Sequence, residues 1–364
     1  MRGYIMCRSL AHAWAFALVA AHFSSEASAE SAGPELGGDA IFRLGYNGVY
    51  EADSSLPETN DFLGIMIASP ELRFSPLFSV KSEIRFEDVR PPTEDRFFED
   101  EGLFVRKLFA EFQVSDQLVV QAGKFTPSFS FASLVTPGMY GNNYNKEIEL
   151  IERVGFGADY TFSGNGGGTF TLSAATFFDD TSFLSDSLGS SRGPKSREDG
   201  GASNTGSLES FAFSLLGTDL SQLPGFTFKV ALLHEARGEG DSSDENGFLV
   251  AAAQSIALDN DRKFTWIAEA APIWNFEGSA DDVLYASGGL VYESGPWTSV
   301  LSGTYRRRDI SGGGRFDDYS LQTSLDYRFG NGVSLAVAHE FLRAQNARSR
   351  RIGIRLSKVI DLGG

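Results

Sequence analysis

Residues 77–87 set Ser79, Lys81, Glu83, Arg85 and Glu87 against Phe78, Val80, Ile84 and Phe86, one by one. Alternate residues of a strand share a face, so two cations and two carboxylates stand in one row. Such a row can hold water, ions and polar solutes. Bond-breaking chemistry needs convergence, which the sequence does not supply. His234 and His339 sit beside Glu235 and Glu340, but strand neighbours point apart, so neither pair is a general-base dyad. The one cysteine, Cys7, lies near the N-terminus, and without clustered Cys or His a zinc site has no ligands. The glycines of 164–168 lack the Lys-Ser/Thr of a phosphate loop and read as a turn. No carboxylate pair is singled out as a hydrolase dyad. The expectation is a protein without catalysis, metal or cofactor.

The charged rows recur along the chain. With aromatic and aliphatic parity taken as outward, the inward basic residues are Arg43, Lys81, Arg85, Lys107, Lys229, Arg306, Arg308, Arg328, Arg351 and Arg355. The inward acids are Glu51, Glu83, Glu87, Glu111, Asp159, Glu235, Asp318 and Asp326. Lys124 falls on the outward parity close to a rim, where its stem could snorkel. Arg306-Arg307-Arg308 reads as a basic run at an outer rim, suited to solvent or to lipopolysaccharide phosphates. The acids of the loop before residue 102, such as Glu94 and Asp95, could share divalent cations with the same lipids.

Amphipathic strands must position these rows. The clearest hairpin lies in 103–129. Its first strand sets Phe104, Leu108, Ala110 and Phe112 against Lys107, Glu111 and Gln113, with Arg106 out of pattern. Ser115-Asp116-Gln117 makes the turn, and Leu118, Val120 and Ala122 continue the apolar face, with Val119 out of pattern. About sixteen such segments follow one another, most of about the ten residues that a tilted strand needs to cross a bilayer. Connections alternate long and short, as between the outer loops and periplasmic turns of outer-membrane barrels. Aromatics bracket the apolar faces: Trp297 and Tyr305 around Leu301, Tyr319 and Tyr327 around Leu321 and Leu325. Aromatics at two heights are the mark of membrane-interface girdles.

The N-terminus reads as a leader. Arg2 and Arg8 precede an apolar run at 10–23, and Ala27-Ser28-Ala29 fits a cleavage site. The expected organisation is a signal peptide at 1–29 and one barrel domain at 30–364. No later run is apolar enough for a membrane helix, so membrane entry requires a closed barrel. The net charge of -17 argues against nucleic acid, which needs a basic footprint.

The segment 122–129, with Gly123, Phe125, Pro127 and Phe129, resembles the phosphate-selective porin O/P family of Gram-negative outer membranes. The sixteen-strand pattern and the long third outer loop, 126–152, are similar too. The resemblance implies a trimeric, sixteen-stranded channel with the third loop folded into the lumen. There Lys146, Glu147, Glu149 and Glu152 would face the basic wall across a narrow gap. Pore-lining roles then fall to Lys81, Arg85, Lys107, Lys124, Lys229, Arg306, Arg308, Arg351 and Arg355. A full ladder of lumen arginines cannot be placed, so phosphate selectivity itself does not carry over with the fold.

The expected function is passive diffusion of small hydrophilic solutes and ions, anions such as phosphate among them. Expected partners are those solutes, outer-membrane lipid and lipopolysaccharide, and two further copies of the chain. Two other readings stand beside it: a barrel without a channel, acting as hydrolase or adhesin, and a secreted soluble β protein that binds carbohydrate.

Overall fold

Period-two alternation without an interior helix pattern leaves the chain one way to satisfy its backbone in lipid, a sheet closed on itself. The computed structural model has this form. It describes residues 33–53, 56–132, 136, 138–141, 144–164 and 167–363; the leader expected at 1–29 lies outside them. Eighteen strands are formed. Two are two-residue bridges, Arg96–Phe97 and Leu188–Gly189, and the other sixteen make the wall.

The wall strands are β1 Glu35–Ala52, β2 Asn60–Ser75, β3 Phe78–Asp88, β4 Glu101–Gln113, β5 Leu118–Phe125, β6 Arg153–Ser163, β7 Thr169–Asp179 and β8 Ser210–Thr218. They continue as β9 Phe226–Glu235, β10 Glu245–Ala257, β11 Arg262–Trp274, β12 Asp282–Ser294, β13 Trp297–Asp309, β14 Arg315–Arg328, β15 Val333–Ala344 and β16 Ala347–Asp361. Each pairs antiparallel with the next. The ring closes where β16 meets β1, from Asp39 opposite Asp361 to Ala52 opposite Ser349. Among the described residues no helix is long and apolar enough to cross a membrane.

Burial is inverted relative to a water-soluble domain. Leu301, Leu321, Leu325 and Val337 are exposed on the outside, while Ser302, Ser320, Gln322 and Ser324 are buried inside. Only lipid makes the outer arrangement favourable. Trp297 packs against Tyr327, with ring centroids 4.6 Å apart, at the short-turn end, and Tyr319 stacks on Phe341 at the other. A soluble carbohydrate-binding sandwich would bury this face instead.

Three features depart from the sequence expectation. First, Arg106 is a β-bulge. Glu83 pairs with Lys107 and Ile84 with Val105, which leaves Arg106 unopposed. A bulge puts two successive residues on one side and shifts the parity beyond it. Phe104 therefore faces inward and is buried, while Leu108 faces lipid. Second, Lys124 leaves the lipid parity. Gly123, at φ 132°, turns the strand, and the Lys124 ammonium is buried against Asp180 at 2.8 Å and the Leu184 carbonyl at 2.8 Å. Third, loop alternation is not strict: β15 and β16 are joined by Gln345 and Asn346 alone, both at positive φ, the geometry of a tight hairpin turn.

Candidate functional site

The third long loop, 126–152, lies across the lumen. Its root is fixed by Ser128, whose hydroxyl contacts Ser214 on β8 and the Lys229 ammonium on β9. Lys229 also donates to the Ser130 carbonyl at 3.0 Å. The Phe131 and Ala132 amides donate to Glu269 on β11 at 2.7 and 2.8 Å. Two charge-assisted bonds to one buried carboxylate make a strong anchor. Phe129 and Phe131 then enter an apolar core with Phe177, Leu249, Ile273 and Tyr285. Ile148 and Leu150 join it from the far arm of the loop. Packed side chains thus occupy the lumen around Phe177, Leu249, Ile273 and Tyr285 of β7–β12.

The loop tip reaches the opposite wall. Tyr140 donates through its hydroxyl to Asn47 on β1 at 2.7 Å, and its amide donates to Gln322 on β14 at 3.1 Å. The Arg351 guanidinium lies 4.1 Å from the Tyr140 ring centroid. Contact is close because residue 353 is glycine: a Cβ there would come within 2.3 Å of the Tyr140 hydroxyl and 2.5 Å of the Met139 methyl. Burial pushes the Tyr140 phenol up to about 12, with Arg351 opposing.

The loop acids do not form a free edge opposite a basic wall. Glu147 receives Arg306 at 2.7 Å and the Tyr285 hydroxyl at 2.8 Å. Glu149 receives the bulged Arg106 at 2.9 Å. Glu152 receives Arg192 at 2.7 Å and Lys124 at 3.3 Å. Lys146 is exposed. Arg306 is also not a solvated rim group: it bridges Glu147 and Asp318, and lies 4.4 Å from the Tyr144 ring centroid.

Most wall cations are neutralised in the same way. Lys81 meets Glu111 at 2.6 Å, Arg85 meets Glu83 at 2.6 Å and Glu87 at 3.4 Å, and Lys107 meets Glu83 at 3.0 Å. Arg308 meets Asp281 at 2.9 Å, and Arg351 pairs with Glu340. Arg43 on β1 and Arg355 on β16 differ. Among the described residues neither has a carboxylate within salt-bridge distance, 4.0 Å. The Nε of each is buried without a hydrogen-bond partner. Arg43 feels the charges of Arg355 and Arg85 and, opposing them, of Glu87, and Arg355 feels that of Asp326. Both arginines line a cavity of about 470 Å³ below the loop tip, with Met139, Asp326, Arg328 and Ser334. A second cavity of about 450 Å³ lies below the loop root, lined by Gln121, Ser128, Asp159 and Ser173. Two adjacent guanidiniums with no carboxylate in direct contact attract anions and repel cations. No set of His, Cys, Asp and Glu among the described residues could hold a metal ion.

Sequence reading placed Arg43 and Arg355 inward but gave them no distinction from paired neighbours. It missed Arg106 as a wall cation, whose signal was its break in the alternation. It missed Phe129, Phe131 and Glu269 as anchors, because no pattern ties a loop aromatic to a strand carboxylate so far along the chain.

No family model and no curated protein matches the chain. Solved structures do. The chain is similar to the outer-membrane channel DcaP of Acinetobacter baumannii, at 13% identity over 91% of this chain and 99% of that one, with TM-score 0.61. It is similar to OmpF of Salmonella typhi, solved with daunomycin, at 11% identity over 90% and 98%, with TM-score 0.65. OmpT of Vibrio cholerae in its trimer form aligns at 8% identity over 90% and 100%, with TM-score 0.54. At these identities it is the fold that is shared: the chain is a sixteen-stranded antiparallel β-barrel with the fold of these outer-membrane proteins.

Proposed function

We propose that the barrel is a passive channel for small hydrophilic solutes and that it favours anions. The observation that carries the anion preference is the Arg43–Arg355 pair, neither in direct contact with a carboxylate, where the third loop leaves a cavity at the wall. Most other wall cations meet a carboxylate directly, and in this cavity Arg43, Arg328 and Arg355 outnumber the single carboxylate, Asp326, so the local field favours anions. The neighbours support the channel reading: DcaP is described as an outer-membrane channel. The long loop lying inside the barrel narrows the opening, as a size filter requires. A hydrolase or adhesin reading gains nothing: Asp159 and Asp326 line two separate cavities, and most other lumen carboxylates are held in ion pairs.

The pore-lining reading falls most directly on Lys81, Arg85, Lys107 and Arg355, while Lys124, Lys229, Arg306, Arg308 and Arg351 hold loops or carboxylates in place. Glu147, Glu149 and Glu152 position the constriction rather than filter ions. The barrel is proposed to sit in a Gram-negative outer membrane as a homotrimer; the OmpT neighbour is described in a trimer form. The phosphate-selective resemblance is retained only as a preference for anions.

Planar-bilayer recordings across a salt gradient test the proposal. The expected result is conductance in steps of three with an anion-favouring reversal potential, moved toward zero by Arg43→Gln with Arg355→Gln. A cation-favouring potential in the wild-type channel overturns the selectivity. A detergent-stable, heat-modifiable barrel that never conducts overturns the channel.

A further inference from the structure

A wall strip next to the arginine pair is apolar although it faces the lumen. On β2 the outward residues are Phe62, Leu72 and Phe74, all exposed to lipid. Alternation then turns Leu63, Ile65 and Ile67 inward. On β1 the exposed Phe42 and Leu44 turn Ile41 inward in the same way. Elsewhere, lumen-facing apolar side chains such as Phe177, Leu249 and Ile273 are covered by the third loop; none of these four belongs to that packed core. Ile41, Ile65 and Ile67 are only partly buried.

The register places the strip against guanidiniums. Arg43 lies directly opposite Ile65, and Ile67 lies between Ile41 on one side and Arg85 on the other. Gly45 lies between Arg355 and Leu63. With no side chain at residue 45, Leu63 leans over it: a Cβ there would meet the Leu63 Cδ1 at 3.0 Å. Two cations with no carboxylate in direct contact therefore border a row of apolar side chains a few residues long. A water-filled lumen has no use for bare isoleucine, which costs free energy for every Å² left wet. A solute that carries an anionic head and an apolar body relieves that cost and the charge together.

We propose that the Ile41–Ile65–Ile67 strip with Arg43 and Arg355 is a binding subsite for organic monoanions with an apolar body, that is, alkyl or aryl carboxylates. The head group sits on the guanidiniums and the hydrocarbon lies along β2. The site deepens the channel reading and rests on it for access, but not for binding. It ranks hexanoate above acetate, and both the charge and the tail are required. Inorganic phosphate, with no tail, gains only the electrostatic half.

The test uses the full mature chain, folded in detergent and shown to be heat-modifiable. Saturation-transfer NMR and block of single-channel current are read for acetate, hexanoate, hexylammonium and inorganic phosphate. Hexanoate is expected to act at about tenfold lower concentration than acetate, as partial burial of its extra methylenes requires. Hexylammonium is expected to have no effect. Ile65→Ser with Ile67→Ser should bring hexanoate to the level of acetate while leaving chloride conductance intact. Arg43→Gln with Arg355→Gln should weaken both. Equal potency of hexanoate and acetate in the wild type overturns the subsite, as does stronger action by phosphate or hexylammonium. A chain that shows hexanoate transfer by NMR but no conductance keeps the subsite and overturns the channel, so the two failures are distinct. If the serine variant does not fold, the wild-type chain-length series alone decides the question.

Discussion

The two sides of the lumen obey the same alternation and end in opposite states. Along β7–β12 the inward positions hold Phe177, Leu249, Ile273 and Tyr285, and the third loop packs Phe129 and Phe131 onto them. Along β1–β4 and β16 they hold Arg43, Arg85, Lys107 and Arg355, and that core does not extend to them. The difference teaches that parity settles only which side chains avoid lipid. Whether an inward residue meets water or protein depends on how a loop is anchored: Glu269 and Lys229 seat its apolar root on one side, while the other side is met by single polar contacts such as Tyr140–Asn47 and Glu149–Arg106.

The contrast can be broken from its packed side first. Phe129→Ala empties a fully buried position and should cost about 3–5 kcal/mol of loop docking. Conductance is expected to rise while the barrel stays heat-modifiable; unchanged conductance would mean that the loop is held without its core. Glu149→Ala leaves the part-buried Arg106 with Glu83 as its remaining carboxylate, at a cost of about 1–2 kcal/mol. Reversal potentials should move further toward anions, because the open side loses one carboxylate and Arg106 keeps only the longer contact to Glu83 at 3.6 Å; no shift would show that Arg106 lies outside the ion path.

Smaller effects sharpen the comparison at the loop tip. Gly353→Val forces a side chain into Tyr140 and Met139 and should cost about 1–2 kcal/mol, seen as greater open-channel noise. The tip also has a pH signature. The Tyr140 phenol is held up to about 12 by burial, above its usual value of about 10. Its neutral form is the one that docks, so the contribution is complete below pH 10 and is lost as pH rises toward 12. Conductance should climb in that window for the wild type and not for Tyr140→Phe. Least affected should be Lys81→Ala, which breaks a half-exposed pair with Glu111 worth less than about 1 kcal/mol; its selectivity should move less than that of Arg43→Gln.

The strands were legible because lipid on one face and polar groups on the other leave a period-two record. Residues 297–309 carry it in Trp297, Leu301 and Tyr305 against Ser302, Thr304 and Arg306, and the predicted strand matches β13 end to end. Residues 103–113 carry it with one fault, at Arg106, and the fault reversed the assignment of Phe104. A bulge adds one residue and leaves no mark except a local lapse in alternation. The loop was legible in length and not in contacts. Phe129 stands among small and polar residues, and its partner strands lie between 48 and 156 positions further on in the numbering, from Phe177 to Tyr285. Arg306 was read from its basic neighbours, but Glu147, its decisive partner, is in the loop. The lumen isoleucines were obscured by Pro70, which blurred the parity of β2.

The seam between β1 and β16 has a consequence for assembly. Asp39 cannot meet Asp361 until nearly the whole chain has been exported, so every shorter piece has two strands with unpaired amides and carbonyls. Bringing such distant ends together costs only slightly more entropy than closing half the length, but pairings of this separation form slowly. During that interval the open edges are templates for other chains. An acid excess of -17 keeps unfinished copies apart by mutual repulsion, so the same charge that the lumen must balance residue by residue protects the chain before it has a lumen.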